Sequence, residues 1–183
     1  MKTIYIYILL ILTSSLLTAQ TKYYTKSGNI DFEASVPSFE EVIAKNVAVT
    51  SILNIETGDI ASLALVKGFR FKVALMEEHF NENYAESDRF PKATFTGKIT
   101  NFSFENLTTA PQQYELIGTL TFHGKSVEIN PEMSIYLDED VVNISSEFIV
   151  KPEKFDIKIP KLIRKKVAET VKVTINYALT KKS

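Results

Sequence analysis

The stretch Tyr114-Glu115-Leu116-Ile117-Gly118-Thr119-Leu120-Thr121-Phe122-His123 decides the fold. Tyr114, Leu116, Gly118, Leu120 and Phe122 fall on one side of an extended chain, and Glu115, Thr119, Thr121 and His123 on the other. Successive side chains of a strand point to opposite faces, so this spacing predicts a half-buried β-strand with one apolar and one wetted face. The period recurs outward in both directions. Toward the N-terminus, Ala93, Phe95, Gly97 and Ile99 alternate with Thr94, Thr96 and Lys98, and Phe69, Phe71, Val73 and Leu75 alternate with Arg70 and Lys72. Before these, Val47, Val49, Leu53 and Ile55 share a face up to the turn residues Thr57-Gly58-Asp59, and Ile30, Phe32, Ala34 and Val36 predict an opening strand that stops at Pro37. Toward the C-terminus, Met133, Ile135 and Leu137 precede the acidic turn Asp138-Glu139-Asp140. Val142, Ile144, Phe148 and Val150 follow, then Phe155, Ile157 and Ile159 up to Pro160, and last Val171, Val173, Ile175, Tyr177 and Leu179.

About eight or nine short strands with turn-length gaps predict an all-β, antiparallel sandwich or barrel. Alternation alone does not separate a solid sandwich from a hollow barrel, and a barrel of about eight strands is either filled by side chains or holds one small ligand. Gly97 and Gly118 fall on apolar faces where a packed core would want volume, which fits either bulges that curve the sheet or clearance for a ligand. Two segments break the period. Met76, Phe80 and Tyr84 stand at i, i+4 and i+8, predicting a short helix or irregular lid over one barrel end within residues 76–87. Pro91 closes that segment by pushing Phe90 toward an extended conformation. Lys161 to Glu169 predicts a turn or two of helix with Leu162, Ile163 and Val167 inward.

The first residues bear on compartment. Lys2 supplies a positive start, Ile4 to Leu17 form an apolar run, and Thr18-Ala19-Gln20 offers a small-residue cleavage point after Ala19. The run is shorter than the roughly twenty residues of a spanning helix, so residues 1–19 are expected to be a cleaved signal peptide and the product to be periplasmic or secreted, without an integral membrane span. Residues 20–183 form one domain large enough to bury its own core. The chain has no Cys, so neither a disulfide nor a lipid-modified cysteine is available. The formal charge is −1. The one basic cluster, Arg164-Lys165-Lys166 with Lys161 nearby, reads as a solvated face rather than a nucleic-acid footprint.

The block Leu75-Met76-Glu77-Glu78-His79-Phe80-Asn81-Glu82-Asn83-Tyr84-Ala85-Glu86-Ser87-Asp88-Arg89-Phe90-Pro91-Lys92-Ala93-Thr94-Phe95 with Gly97 resembles the signature of the YceI-like family. Gly118-Thr119-Leu120-Thr121-Phe122-His123-Gly124 resembles a second family segment, and Lys26-Ser27-Gly28-Asn29-Ile30-Asp31-Phe32 and Ile157-Lys158-Ile159-Pro160-Lys161-Leu162 extend the likeness over nearly the whole mature chain. The resemblance implies an extended, eight-stranded, lipocalin-like antiparallel barrel, exported to the periplasm, whose apolar pore holds a polyisoprenoid or similar long-chain amphiphile. It also makes the region from Met76 to Phe95 the lid of the pore. Ala85 and the pair Lys125-Ser126 depart from the family's usual residues at candidate pore mouths.

Little in the chain points to catalysis. The two histidines, His79 and His123, lack the spacing of a three-ligand zinc site, and neither His-Glu-x-x-His nor a Gly-x-Ser-x-Gly elbow occurs. They are read as orienting loops or capping strand ends by hydrogen bonds. The carboxylate groups at Glu40-Glu41, Glu77-Glu78 and Asp138 to Asp140 are read as turn and solubility residues. We therefore expect no catalytic residue, no metal and no cofactor, and a binding protein rather than an enzyme. A lumen for a long chain needs only apolar walls, since each buried CH2 contributes about 0.8 kcal/mol. The expected wall is Phe69, Phe71, Val73, Phe95, Ile99, Leu116, Leu120, Phe122, Ile144 and Phe148, with Met76, Phe80, Tyr84 and Phe90 near the mouth. The expected partner is a long-chain isoprenoid, a quinone-like molecule or another apolar lipid; oligomeric state stays open, a homodimer included. Two other readings compete: a barrel filled by its own side chains that acts through its surface in envelope stress tolerance, and a lipocalin-like enzyme using His79 or His123.

Overall fold

The computed structural model describes residues 21–37, 39–161 and 167–182. The expected leader, and Leu162, Ile163 and the basic cluster of the expected helical turn, lie outside the described residues. Among the described residues the chain forms β1 (Lys22–Glu33), β2 (Ile43–Asn54), β3 (Asp59–Leu65), β4 (Arg70–Phe71), the short helix α1 (Ala74–His79), β5 (Lys92–Ile99), β6 (Gln112–Phe122), β7 (Lys125–Ile129), β8 (Glu132–Asp138), β9 (Val141–Val150) and β10 (Val171–Lys181). No helix among them is long and apolar enough to cross a membrane. Every pairing is antiparallel, and the order β1-β10-β9-β8-β6-β5-β3-β2 closes on itself because β1 also pairs with β2. The result is the expected closed eight-stranded barrel. β1 carries a bulge between Thr25 and Gly28, and β2 carries another between Asn46 and Val49, which turns Val47, expected inward with Val49 and Leu53, out to 58% exposure.

Several stretches differ from the alternation-based expectation, beginning with the opening strand, which runs from Lys22 to Glu33 and ends before Ala34 and Val36. β3 was not expected: Ile60, Ala61, Leu63, Ala64 and Leu65 put apolar residues on both faces, so period two shows no contrast there. β7 was not expected either, although Lys125, Val127 and Ile129 pair in register with Phe122, Leu120 and Gly118. The strand expected over Phe69–Leu75 stops after Phe71. β3 leaves only the Ala44–Lys45 end of the β2 edge for β4, and the Glu77 carboxylate takes up the Phe71 backbone N–H at 3.1 Å and the Arg70 guanidinium at 2.6 Å. Beyond this point the chain turns into α1, leaving Leu75 56% exposed. The strand expected over Phe155–Ile159 is instead a 3-10 turn at Pro152–Phe155 followed by irregular chain. Pro152 and Pro160 remove ladder donors, and Asp156 takes a left-handed conformation with φ of 58°.

The barrel has two unlike ends. Where β1 begins and β10 ends, Leu53, Ile99, Ile135, Val142, Ile144 and Leu179 interlock with almost no exposed surface, and the loop after β5 folds under them with Phe104 5.3 Å from Tyr23. At the other end the wall divides. One edge of β6 pairs with β8 through Gln112–Glu115 and with β7 through Gly118–Phe122. β8 begins at Glu132, so the Glu147–Val150 part of β9 has no β8 partner. The segment Pro152–Ile159 fills that seam, packing its turn on β7 and burying Phe155 to 2% exposure.

Candidate functional site

Above the packed end lies a cavity of about 560 Å3. That volume is typical of sites for small organic ligands, roughly 300–1,000 Å3. Its base is formed by Ile60, Leu116, Met133 and Tyr177, its walls by alternate residues of β1, β5, β6, β9 and β10, and its mouth side by the chain around α1 and by Pro152–Ile159. Among the described lining residues the polar side chains are Glu40, Ser62, His79, Tyr84, Thr94 and Tyr177. A site so poor in charge selects for apolar surface, because an unpaired polar group brought into it would lose its water without compensation.

Of the residues expected to face a ligand, Phe69, Phe71, Met76, Phe80, Tyr84, Phe95, Leu116, Leu120, Phe122 and Phe148 line this lumen. Four do not. Ile99 and Ile144 point inward but sit in the packed end, each at most 2% exposed. Val73 precedes α1 as its extended N-cap, after the strand that should have carried it inward has ended. Phe90 packs outside the lumen, 4.7 Å edge-to-face from His123 and under the guanidinium of Arg89 at 4.9 Å. Ile30, Phe32, Met133, Val150, Val171, Val173, Ile175 and Tyr177 also line the lumen, beyond the expected wall residues. Their alternation was legible, since all lie on the apolar faces of expected strands. Phe39 and Val42, from the irregular chain before β2, carried no such signal.

The glycines on the apolar faces do not mark a bulge, because Gly97 and Gly118 are opposite each other in an unbroken β5–β6 register. A Cβ on either would lie 2.7 Å or 2.3 Å from Cζ of Phe95. The pair makes room for the Phe95 ring, which folds along the wall instead of projecting across the lumen.

The lid is held by aromatic packing and hydrogen bonds. Phe80, after α1, lies 5.3 Å from Phe32, 5.2 Å from Phe71 and 6.1 Å from Phe69 between ring centroids. His123, in the left-handed turn between β6 and β7, aims Nδ1 at the Phe155 carbonyl at 2.8 Å and Nε2 at Glu86 Oε1 at 3.0 Å. It thereby ties the lid and the seam segment to one turn. Lys125 and Asp156 pair at 2.8 Å beside it. The hydrogen bond from His123 holds the Glu86 carboxyl below the usual carboxylate range, and the hydrogen bond from Lys125 does the same for Asp156. His79 stands exposed on the last turn of α1, at the rim of the lumen.

No curated protein sequence matches the chain. Among solved structures, a polyisoprenoid binding domain from Saccharophagus degradans implicated in plant cell wall breakdown superposes with a TM-score of 0.76 at 11% identity, covering 90% of this chain and 100% of that one. Burkholderia cenocepacia BcnA gives a TM-score of 0.69 at 12% identity over 84% of this chain and 96% of its own. A mutant of the Campylobacter jejuni YCEI protein gives 0.56 at 15% identity over 87% and 86%. At these identities the likeness speaks for the fold. The sequence profile of the YceI-like domain matches residues 15–179, and the chain belongs to that family.

Proposed function

We propose that the protein binds a polyisoprenoid or similar long-chain amphiphile in its lumen, apolar chain inward, and that it acts by holding this lipid rather than by catalysis. The observation that carries the reading is the 560 Å3 cavity lined almost throughout by aliphatic and aromatic side chains in a barrel whose other end is solid. A structure related in fold is that of a polyisoprenoid binding domain, which supports the same ligand class. Export through residues 1–19 to the periplasm or medium, and a role in lipid transport, storage or envelope stress tolerance, complete the proposal.

Native mass spectrometry of the protein exported from a bacterial host and purified without detergent, followed by lipid extraction, tests it. A stoichiometric adduct that extracts as a polyprenyl or quinone-like molecule is the expected result. A bare mass, unchanged after incubation with prenyl lipids, would instead favour a barrel that acts through its surface.

A further inference from the structure

Tyr177 lies at the boundary between the hollow and the packed halves. It projects inward from β10, is 4% exposed, and lines the base of the lumen, while Leu53, Ile135 and Leu179 beyond it are fully buried and lie outside the lumen. Its ring passes over Gly28 of β1: a Cβ there would lie 2.6 Å from Tyr177 Cδ1 and 3.0 Å from Cε1. Its hydroxyl lies toward Ser62 on β3, which shares a 2.9 Å hydrogen bond with Ser51 on β2. The side chain therefore extends from β10 past β1 and β2 toward β3, strands that follow one another around the ring. The ring is seated by the absence of a side chain at Gly28.

We propose that Tyr177 is a crossbar that closes the lumen from below and sets the maximum length of the apolar chain the protein accepts. This rests on the lipid-binding reading above. A chain whose buried part matches the depth above the ring gains apolar burial with each added carbon, and a longer one must leave its last carbons in water or bend at the mouth. Length, rather than headgroup, is then what the floor discriminates.

The test uses the purified protein and three variants, each incubated with an equimolar ladder of polyprenols of graded isoprene count and read by native mass spectrometry. Wild type should show a sharp upper cut-off in retained length. Tyr177→Ala should move the cut-off to longer chains, changing the preference between the two lengths that flank it by about tenfold or more. Gly28→Ala, whose methyl forces the ring off its seat against β1, should also move it. Tyr177→Phe should leave it in place, since the ring and not the hydroxyl blocks the path. An unchanged cut-off in folded Tyr177→Ala, or in Gly28→Ala should the former not fold, overturns the crossbar alone. Failure of wild type to retain any polyprenol overturns both the crossbar and the lipid-binding reading.

Discussion

His123 and Phe155 meet across the seam of the barrel, the imidazole Nδ1 lying 2.8 Å from the backbone carbonyl oxygen of Phe155. β7 and the second half of β9 do not pair, so the wall there depends on side-chain contacts to the Pro152–Ile159 segment. The His123 ring is only 10% exposed and Phe155 2%, so loss of the ring would leave the Phe155 carbonyl without its donor and with poor access to water, while the partly exposed Glu86 carboxylate would be rehydrated.

His123→Ala should accordingly destabilise the protein by about 1–3 kcal/mol. Hydrogen exchange should rise at Phe155–Ile159 and at Glu86–Phe90, with the packed end unaffected. Uniform acceleration along the whole chain would mean that the residue supports global stability and not the seam.

Acid should loosen the same region. The carboxyls of Glu86 and Asp156 are lowered in the folded state by His123 and Lys125, respectively. Groups lowered on folding contribute stability that is fully present above their unfolded values, about pH 4, and is lost as pH falls through the folded values. Melting temperature measured against pH should therefore drop on the acid side of about pH 4, and a Glu86→Gln, Asp156→Asn double variant should show a shallower acid limb. Equal acid limbs in the two proteins would remove these pairs from the explanation.

Truncation should cost unequal amounts in the two halves. Ile135 is fully buried among packed neighbours, so Ile135→Ala should lose about 2–5 kcal/mol in chemical denaturation. Leu120 borders existing empty space, so Leu120→Ala should lose about 1–2 kcal/mol, because fewer contacts vanish with its side chain. Equal losses would argue that the lumen is collapsed in solution.

Gly118→Ala should be destabilising by about 1–3 kcal/mol, since the new methyl meets the Phe95 ring and the Thr96 carbonyl oxygen. Adding Phe95→Leu should recover part of that loss, the coupling expected when one substitution removes the obstacle to another. Strict additivity of the two changes in a double-mutant cycle would show that the ring does not occupy the glycine niche.

The aromatic seat of Phe80 should govern exchange of a bound chain. Phe80→Ala removes a ring that touches Phe32, Phe69 and Phe71 at the mouth, and should raise the dissociation rate of a fluorescent long-chain probe about tenfold with a smaller change in association. An unaltered dissociation rate would place the exit elsewhere, for instance along the seam.

What the sequence by itself determined is the strand class and the inward face of most strands. Tyr114 to Phe122, Ala93 to Ile99 and Val171 to Leu179 carry that information locally, because alternation is a property of neighbouring residues on one extended chain. The family blocks around His79 and His123 were legible for the same reason. Depth along the barrel was not. Ile99 and Leu120 have the same local pattern, yet one is sealed in the packed end and the other lines the lumen, because position along the axis depends on register across all eight strands of the ring. The tertiary structure alone set Phe95 against Gly97 and Gly118, Tyr177 over Gly28, and His123 against Phe155 and Glu86. Apart from Phe95 and Gly97, two residues apart on one face of β5, these contacts join segments distant in the chain, which only strand pairing and packing around the ring bring together.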